Sequence, residues 1–436
     1  MNIAELYELY KAHPSICTDT RKIVKDSIFF ALSGPSFNGN TFAETAINSG
    51  CSFAIIDNLS YSKGNQYIFV DDVLLTLQNL AQHHRRQLAC KVIGITGSNG
   101  KTTSKELVRN VLAKKFKTQA TFGNLNNQVG VPLTLLQLKD DTEVAIIEMG
   151  ASKQGDIKEL VEIAEPNIGL ITNIGMAHLE GMGGIDGVIK TKTELFDFLR
   201  TNSGLVFVNT MHEVFISKSF GINQITFGES DSNEVVGQFI SSDPNVSFKW
   251  NPTKKKGRSW NEAPLVQALL IGKYNFENLL AAACIGDYFG IEESLINEAL
   301  QEYVPDNNRS QVIITENNKL ILDAYNANPT SLEAAILNFS NQRVKSKVLI
   351  IGKMMELGPV SEEEHLRIGR LALAQDFDKV FFVSKAYENA GIKGGEKHFA
   401  STEDAMLWFQ AHPLRGFNIL IKGSRSNQLE RLKDHL

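Results

Sequence analysis

Cysteine is scarce in this chain, with four among 436 residues, at Cys17, Cys51, Cys90 and Cys284. They are scattered, with no CxxC pair and no Cys/His ligand spacing, which excludes a zinc module and a disulfide-stapled scaffold. Buried free thiols in a reducing cytoplasm are the expectation. A long apolar run is also missing; nothing approaches the roughly 18 to 20 residues needed to span a bilayer. Positive charge is not in excess, since 44 Lys and Arg face 49 Asp and Glu for a formal net charge of −5. That excludes the basic footprint of non-specific nucleic-acid binding. The N-terminal MNIAELYELYKAHPSI lacks a basic segment followed by an apolar one, so a secretory signal is not expected, and it reads as a short amphipathic helix. No internal repeat, heptad or low-complexity tract is present.

What remains is an ordinary globular balance, 43% hydrophobic and 21% charged, in a chain long enough for two to four domains. The first ~85 residues mix short apolar runs (SIFFAL, CSFAIID, YIFV) with Gly, Asn and Ser turns, as in a small α/β unit. A polar, basic stretch, AQHHRRQLACK, then precedes VIGIT. From there, apolar runs alternate with amphipathic helical patterns, which predicts a mainly parallel sheet covered on both faces. The stretch 229–262 reads as polar and irregular, with its lysine run in a solvated hairpin or loop. After the turn-rich VPDNNRSQ a further α/β alternation begins at LILDAY. The expected class is α/β in three domains: a small α/β unit (1–86), a central P-loop domain with a mainly parallel sheet (87–306) and a Rossmann-like α/β domain (307–436).

The run GITGSNGKTT follows a predicted strand and opens a predicted helix, the context in which a glycine motif becomes a phosphate site. Gly97 and Gly100 permit a tight turn that brings the backbone N–H groups of Ser98, Asn99 and their neighbours against phosphate oxygens. The helix starting near Lys101, Thr102 and Thr103 adds its positive end. Lys101 is expected on the β- and γ-phosphates and the Thr102 hydroxyl on Mg²⁺. Ile95 stands where a strict Walker A motif has glycine, but the GxxGK[ST] core is intact. Glu148 ends the run VAIIE at the same sheet edge, where ligands of open α/β sheets bind. His178 follows the next strand there, so Thr102, Glu148 and His178 form a candidate magnesium site.

These residues carry a pattern that resembles the Mur ligases of peptidoglycan synthesis. TDTRK at 18–22, TGSNGKTT, GNLNNQVGVPLTLL, EMGASKQGDI, ITNIGMAHLEGMGG, KTEL, GKYNFENLLAA, DAYNANPTSLEAA, GKMMELG and IKGSR occur in the family's order, nearly end to end. The resemblance implies an ATP-dependent amide ligase that joins D-alanyl-D-alanine to UDP-N-acetylmuramoyl-tripeptide through an acyl-phosphate. It implies ATP, two Mg²⁺ ions, and CO₂ taken up as a carbamate on Lys192, which on sequence alone looks like a solvated helix lysine, as does Lys190. It places Asn275 and Asn278 near the base and ribose, although helix capping would also explain them. Arg309, Asp323 and Asn326 fall where the third domain closes on ATP. Thr20 and Arg21 fall in the uridine-nucleotide domain, Asn124, Asn126 and Asn127 on a substrate-facing loop that could also be a plain asparagine-rich turn. Tyr325, Asn328, Lys422, Ser424 and Arg425 complete the implied substrate contacts. The implied protein is a cytoplasmic monomer.

The chain departs from the family after the strand LVFVN, where NTMHEVF replaces an acidic turn, so no role is assigned there. GKMMELGPVSEEEH occupies the region where the ligase that adds the third residue carries a DNPR-like motif, which argues against that enzyme. A nucleotide-binding switch that hydrolyses ATP without ligation is the alternative of a different class.

Overall fold

The computed structural model describes residues 1–305 and 308–436. Three sheets organise it, as the α/β class with three units led one to expect. Four short parallel strands, Ile16–Cys17, Ile28–Phe30, Phe53–Ile56 and Tyr67–Phe69, form the first, in chain order. The helix Ile3–Ala12 begins this unit, with an Asn2–Glu5 capping box.

The central sheet has nine strands, and its heart is a parallel array in which Lys91–Thr96 lies between Val144–Glu148 and Ile168–Ile171. These strands are apolar throughout because both faces are covered. Alternate residues serve opposite cores. Val92, Ala145 and Ile147 face the helices Val73–Gln87, Gly130–Leu135, Asp156–Ala164 and Ile185–Thr201. Ile93, Ile95, Val144 and Ile146 face Lys101–Ala113, Tyr274–Tyr288 and Glu293–Glu302. The helix Tyr274–Tyr288 is largely apolar and mostly buried, with Tyr288 exposed at its end. A Cβ at Gly286 would lie 2.5 Å from Val111 Cγ1, which shows how closely it packs on Lys101–Ala113.

The stretch 229–262 is more ordered than its composition suggests. Val235–Ser241 and Ser247–Asn251 pair antiparallel at one end of this sheet, with Val235, Phe248 and Trp250 fully buried. The Trp250 indole N–H donates to Asn297 (2.7 Å). The run Lys254–Lys256 sits in the exposed turn beyond, as expected.

The third sheet orders Gln311–Ile314, Lys319–Asp323, Asn418–Lys422, Lys347–Gly352, Lys379–Val383 and Lys397–Phe399, parallel except for the first pair. The expected boundary at 86/87 falls in the last turn of the helix Val73–Gln87. The one at 306/307 lies outside the described residues. All four cysteines are free and buried. Among the described residues, no helix is long and apolar enough to cross a membrane.

Candidate active site

The strand Lys91–Thr96 ends at the loop 97–100, and the helix Lys101–Ala113 starts directly after it. Two glycines make this possible. Gly97 has φ +145° and a Cβ there would lie 2.0 Å from Thr172 Oγ1; Gly100 has φ +76° and faces Asn278 at 2.7 Å. Gly100 is also the N-cap, so no side chain caps the helix. Its first-turn amides, Lys101 to Thr103, have no carbonyl one turn back to pair with, which makes this end an anion site. The Ser98 and Asn99 amides, by contrast, donate to the backbone oxygen and to Oδ1 of Asn173 (3.0 and 2.9 Å). The backbone donors left free at this turn are therefore those of the helix end, while those of Ser98 and Asn99 are already paired.

A cavity of about 470 Å³ opens on this end, lined among others by Lys101, Thr102, Glu148, His178, Arg309 and Asp323. Lys101 lies deep but still opens on the cavity. Its ammonium donates to the Gly97 carbonyl (2.7 Å). Desolvation pushes its pKa down to about 8, opposed by Glu148 and assisted by Arg309. A larger depression of about 1100 Å³, beside Arg86, Lys91, Asn167 and Leu205, lies at the other edge of the sheet, where the strands begin. Chemistry-bearing groups gather at the edge where strands end, in keeping with the general rule for such sheets.

Glu148 is 1% exposed. Its Oε1 accepts from the Thr102 hydroxyl (3.1 Å) and the Asn126 amide (2.8 Å). Its Oε2 has no hydrogen-bond partner, though Lys105 Nζ stands 3.7 Å away. A buried carboxylate oxygen without a donor, beside a hydroxyl, fits a hard cation that takes its remaining ligands from phosphate and water. No group of three or more His, Cys, Asp or Glu gathers at metal spacing among the described residues. His178, in a left-handed conformation (φ +54°), instead forms an ion-pair contact with Glu356 of the third sheet's unit, without hydrogen-bond alignment.

Lys192 and Lys190 look alike in the sequence and differ in the structure. Lys190 is exposed, whereas Lys192 is 1% exposed and its amine has no hydrogen-bond partner. Burial, and then the Lys101 charge, holds its pKa well below the usual lysine range, against the pull of Asp156 and Glu194. A neutral, unpartnered amine is the form that adds to CO₂, so the residue fits a carbamate.

The two asparagines are not caps. Asn275 donates to the Ile271 carbonyl (2.8 Å), Asn278 donates to Asn275 Oδ1 (2.9 Å), and Asn278 Oδ1 accepts from Ser104 (3.0 Å). Both line the cavity through what remains of their surfaces. Arg309 stacks its guanidinium on the Tyr325 ring, 3.8 Å from the centroid. Lys422 pairs with Asp323 (2.6 Å) and donates to the Asn326 carbonyl (3.3 Å), which gathers three expected residues at one wall. Asn328 caps the helix Pro329–Asn341 and donates to Asn99 Oδ1 (2.7 Å), so it meets the phosphate loop itself. Asn126 and Asn127 line the cavity, Asn127 with its Oδ1 accepting from Gly130 N–H (2.8 Å). Asn124 lines a neighbouring cavity shared with Arg309 and Tyr325.

Eight expected residues do not line the main cavity: Gly97, Asn124, Lys192 and Asn328, and with them Thr20, Arg21, Ser424 and Arg425. Thr20 and Arg21 sit in the first unit, Arg21 86% exposed and paired with Asp19 (2.7 Å). Ser424 is buried against Ser426 and Asn427, and Arg425 pairs with Glu430 (2.7 Å) at the surface. Other residues at the site carried no role in the sequence reading: Lys105, Asn173, Glu356, and the pair His212–Glu277 (2.7 Å) facing the cavity. Only His212 had a signal, the departure of its turn from the family's pattern.

Comparison with known proteins gives the family. Residues 95–286 match the Mur ligase middle domain, and residues 308–425 match the Mur ligase, glutamate ligase domain. The UDP-N-acetylmuramoyl-tripeptide--D-alanyl-D-alanine ligase of Bacillus subtilis (strain 168) is 32% identical over 99% of this chain and 96% of its own. The chain belongs to the Mur ligase family. The crystal structure of MurF from Acinetobacter baumannii superposes with a TM-score of 0.85 at 29% identity, covering 98% of this chain and 97% of that one. MurF ligase from Thermotoga maritima, solved in complex with ADP, shares the fold with a TM-score of 0.84 at 23% identity, over 97% and 96% of the two chains. This Mur ligase thus shares its three-sheet arrangement with these solved structures over nearly all of its length.

Proposed function

We propose that this Mur ligase joins D-alanyl-D-alanine to UDP-N-acetylmuramoyl-tripeptide, with ATP, in the cytoplasmic synthesis of peptidoglycan precursors. The reading rests on one observation above the others: an uncapped helix end, Lys101 and a half-satisfied Glu148 share a single cavity with groups from the third sheet's unit. Full-length similarity to the Bacillus subtilis ligase supports the substrate pair.

In the proposed reaction a terminal carboxylate oxygen of the tripeptide attacks the γ-phosphorus, and ADP leaves. Lys101 and the first-turn amides hold the phosphate oxygens as their charge redistributes, which is where most of the acceleration of phosphoryl transfer arises. The dipeptide amine then attacks the acyl carbon, loses its proton, and inorganic phosphate departs from the tetrahedral centre. Thr102, Glu148 and His178 would hold one Mg²⁺, and a carbamate on Lys192 a second, supplying positive charge to the phosphoryl oxygens. His178 must leave Glu356 to take that part. Asn275, Asn278, Arg309, Asp323 and Asn326 would contact the nucleotide, and Tyr325, Asn328, Lys422, Ser424 and Arg425 the incoming dipeptide and the peptide carboxylates. Asn124, Asn126 and Asn127 would face the peptide, and Thr20 and Arg21 the uridine nucleotide in a domain of residues 1–86. Residues 87–306 would carry ATP, and 307–436 would close over it and exclude water from the acyl-phosphate. The protein acts as a monomer.

The test is ATP-dependent phosphate release with each substrate withheld in turn. Release that needs both the nucleotide-tripeptide and D-alanyl-D-alanine is expected. Undiminished release without either would replace the ligase by a non-ligating ATPase. Lys192→Ala, with and without added short carboxylates, tests the carbamate: full activity of the plain variant would remove it.

A further inference from the structure

Lys105 is fully buried, one helical turn beyond Lys101, and the mechanism above makes no use of it. A sequestered ammonium is expensive unless its surroundings neutralise and bond it. Its Nζ donates to the Thr121 carbonyl (2.7 Å) and stands 3.4 Å from that of Gly123. It also meets Glu106 Oε1 at 3.1 Å and Glu148 Oε2 at 3.7 Å. Glu106 in turn pairs with Arg109 (3.1 Å). The oxygen that Lys105 faces is the one on Glu148 that lacks a hydrogen bond.

The segment it grips leads into the asparagine loop, and that loop is tied to Glu148 independently. Thr121 Oγ1 accepts from the Glu148 backbone N–H (2.9 Å), and the Asn126 amide donates to Glu148 Oε1 (2.8 Å). The Gly150 N–H donates to the Asn126 carbonyl (2.7 Å). One ammonium therefore touches both the loop backbone and the carboxylate of the ATP site.

We propose that Lys105 is a positioning residue with two separable actions: its charge weakens divalent-metal binding at Glu148, and its N–H donors hold the segment 121–127 in place. The inference rests on the reading of Glu148 as a metal-holding residue. A divalent ion reaching Glu148 Oε2 meets a fixed positive charge across a few ångströms, so the metal holds less tightly than the carboxylate alone would allow. Moderate affinity suits a metal that arrives and leaves with the nucleotide. The loop's order, by contrast, depends on hydrogen bonds that a neutral donor can replace.

The experiment compares Lys105→Gln, which keeps a donor, with Lys105→Met, which keeps none. Binding of a non-hydrolysable ATP analogue is titrated by calorimetry at varied Mg²⁺, and amide exchange of 121–127 is followed in the metal-free full chain. Both variants are expected to lower the half-saturating Mg²⁺ by about tenfold, the scale of one repulsive charge pair in a polar setting. Only Lys105→Met should speed exchange in 121–127 and raise KM for the nucleotide-tripeptide. A merely structural lysine would weaken metal and loop together, and that outcome overturns the proposal. Should neither variant fold, the wild-type chain decides. Mg²⁺ with the analogue should alter exchange in 121–127, and Glu148→Gln should abolish the change; constant exchange in the wild type overturns the inference. If Glu148→Gln leaves the Mg²⁺ dependence intact, the metal assignment itself has failed. If it removes that dependence while both Lys105 variants match wild type, only the role of Lys105 falls.

Discussion

The central sheet meets its two neighbours through junctions of opposite character. On the N-terminal side, the helix Val73–Gln87 lies against Gly130–Leu135 and Asp156–Ala164, burying Leu77, Leu80 and Ala81. Arg85, 7% exposed, donates to the carbonyls of Ala164, Leu88 and Glu165 and to Asn167, so it caps the C-terminus of Asp156–Ala164 from outside. Tyr10 donates to the Leu136 carbonyl, and Gln78 to Glu159 (2.8 Å). On the C-terminal side, the bonds that bridge the two units are polar and scattered, among them Asn328 to Asn99 (2.7 Å), Met176 N–H to Thr330 (3.1 Å), Glu180 N–H to the Glu356 carbonyl (3.3 Å), the Tyr274 and Ser310 hydroxyls (3.0 Å), Ser242 to Asn338 (3.0 Å), and the His178–Glu356 contact. A junction made like a core stays shut, whereas a sparse polar one can open to admit a nucleotide. Under the proposed function, substrate grip in the first unit would be tied rigidly to the sheet, and closure would be left to the third.

The largest effect that would sharpen this contrast comes from what the second junction closes over. Lys101→Ala is expected to cut phosphate release by ~10²- to 10³-fold, the usual loss of a charged transition-state donor. Its thermal unfolding should hardly move, because the ammonium it removes is desolvated and bonds only its own loop. Turnover near wild type would show that the third unit closes on something else. Next in size is Arg85→Ala in the first junction. It strands several buried carbonyls that had a charged donor, for a loss of about 2 to 4 kcal/mol in urea unfolding. Calorimetric ATP binding by the folded variant should be unchanged. A loss below about 0.5 kcal/mol would mean that the N-terminal junction is no firmer than the other.

How much of this was visible beforehand depends on how far apart in the chain the partners lie. The loop 97–103 is local: strand, glycines, lysine and helix follow one another, so its chemistry is written in consecutive residues. The parallel core was legible for the same reason, each strand being a short unbroken apolar run. The His212–Glu277 pair joins residues 65 apart, and Asn328 reaches Asn99 across 229, so no spacing rule could bring them together. Lys192 and Lys190 differ only in which side of one helix meets the core, and a single turn of mixed residues does not reveal that. The strands at 235–251 were hidden because their buried Val235, Phe248 and Trp250 are interrupted by turn residues and by less buried polar neighbours. The family resemblance supplied Lys192 and the C-terminal contacts, which the residues alone did not.

A third prediction works on the polar junction directly. Glu356→Gln removes the charge that faces His178 while keeping the shape, and half-exposed ion pairs contribute at most about 1 kcal/mol. Unfolding should therefore be nearly unchanged. The ligand-free chain should open, seen as a larger radius of gyration in solution scattering, and ATP analogues should restore compactness. An unchanged radius would mean that the remaining bonds alone hold the unit shut, and the contrast between the junctions would shrink to one of composition.

The smallest effect belongs to the apolar junction and appears only with pH. His84 is 4% exposed; its Nδ1 pairs with the Tyr7 hydroxyl (3.1 Å) and its Nε2 with the Leu138 carbonyl (3.1 Å). The neutral ring satisfies both, with N–H on Nε2 and Nδ1 accepting. Burial holds its pKa below the ordinary 6.5, against the Leu138 carbonyl and Asp140, which favour the charged form. The unfolded chain therefore takes up this proton first as pH falls. Stability from the group is full above about pH 6.5, declines as pH drops below it, and levels off beneath the folded value. His84→Asn removes the titration, so the difference in urea stability between wild type and variant should shrink from pH 7 to pH 5. A difference that stays constant would mean that His84 is free to charge in the folded protein. The N-terminal junction would then be wetter, and closer in kind to the C-terminal one, than its buried side chains indicate.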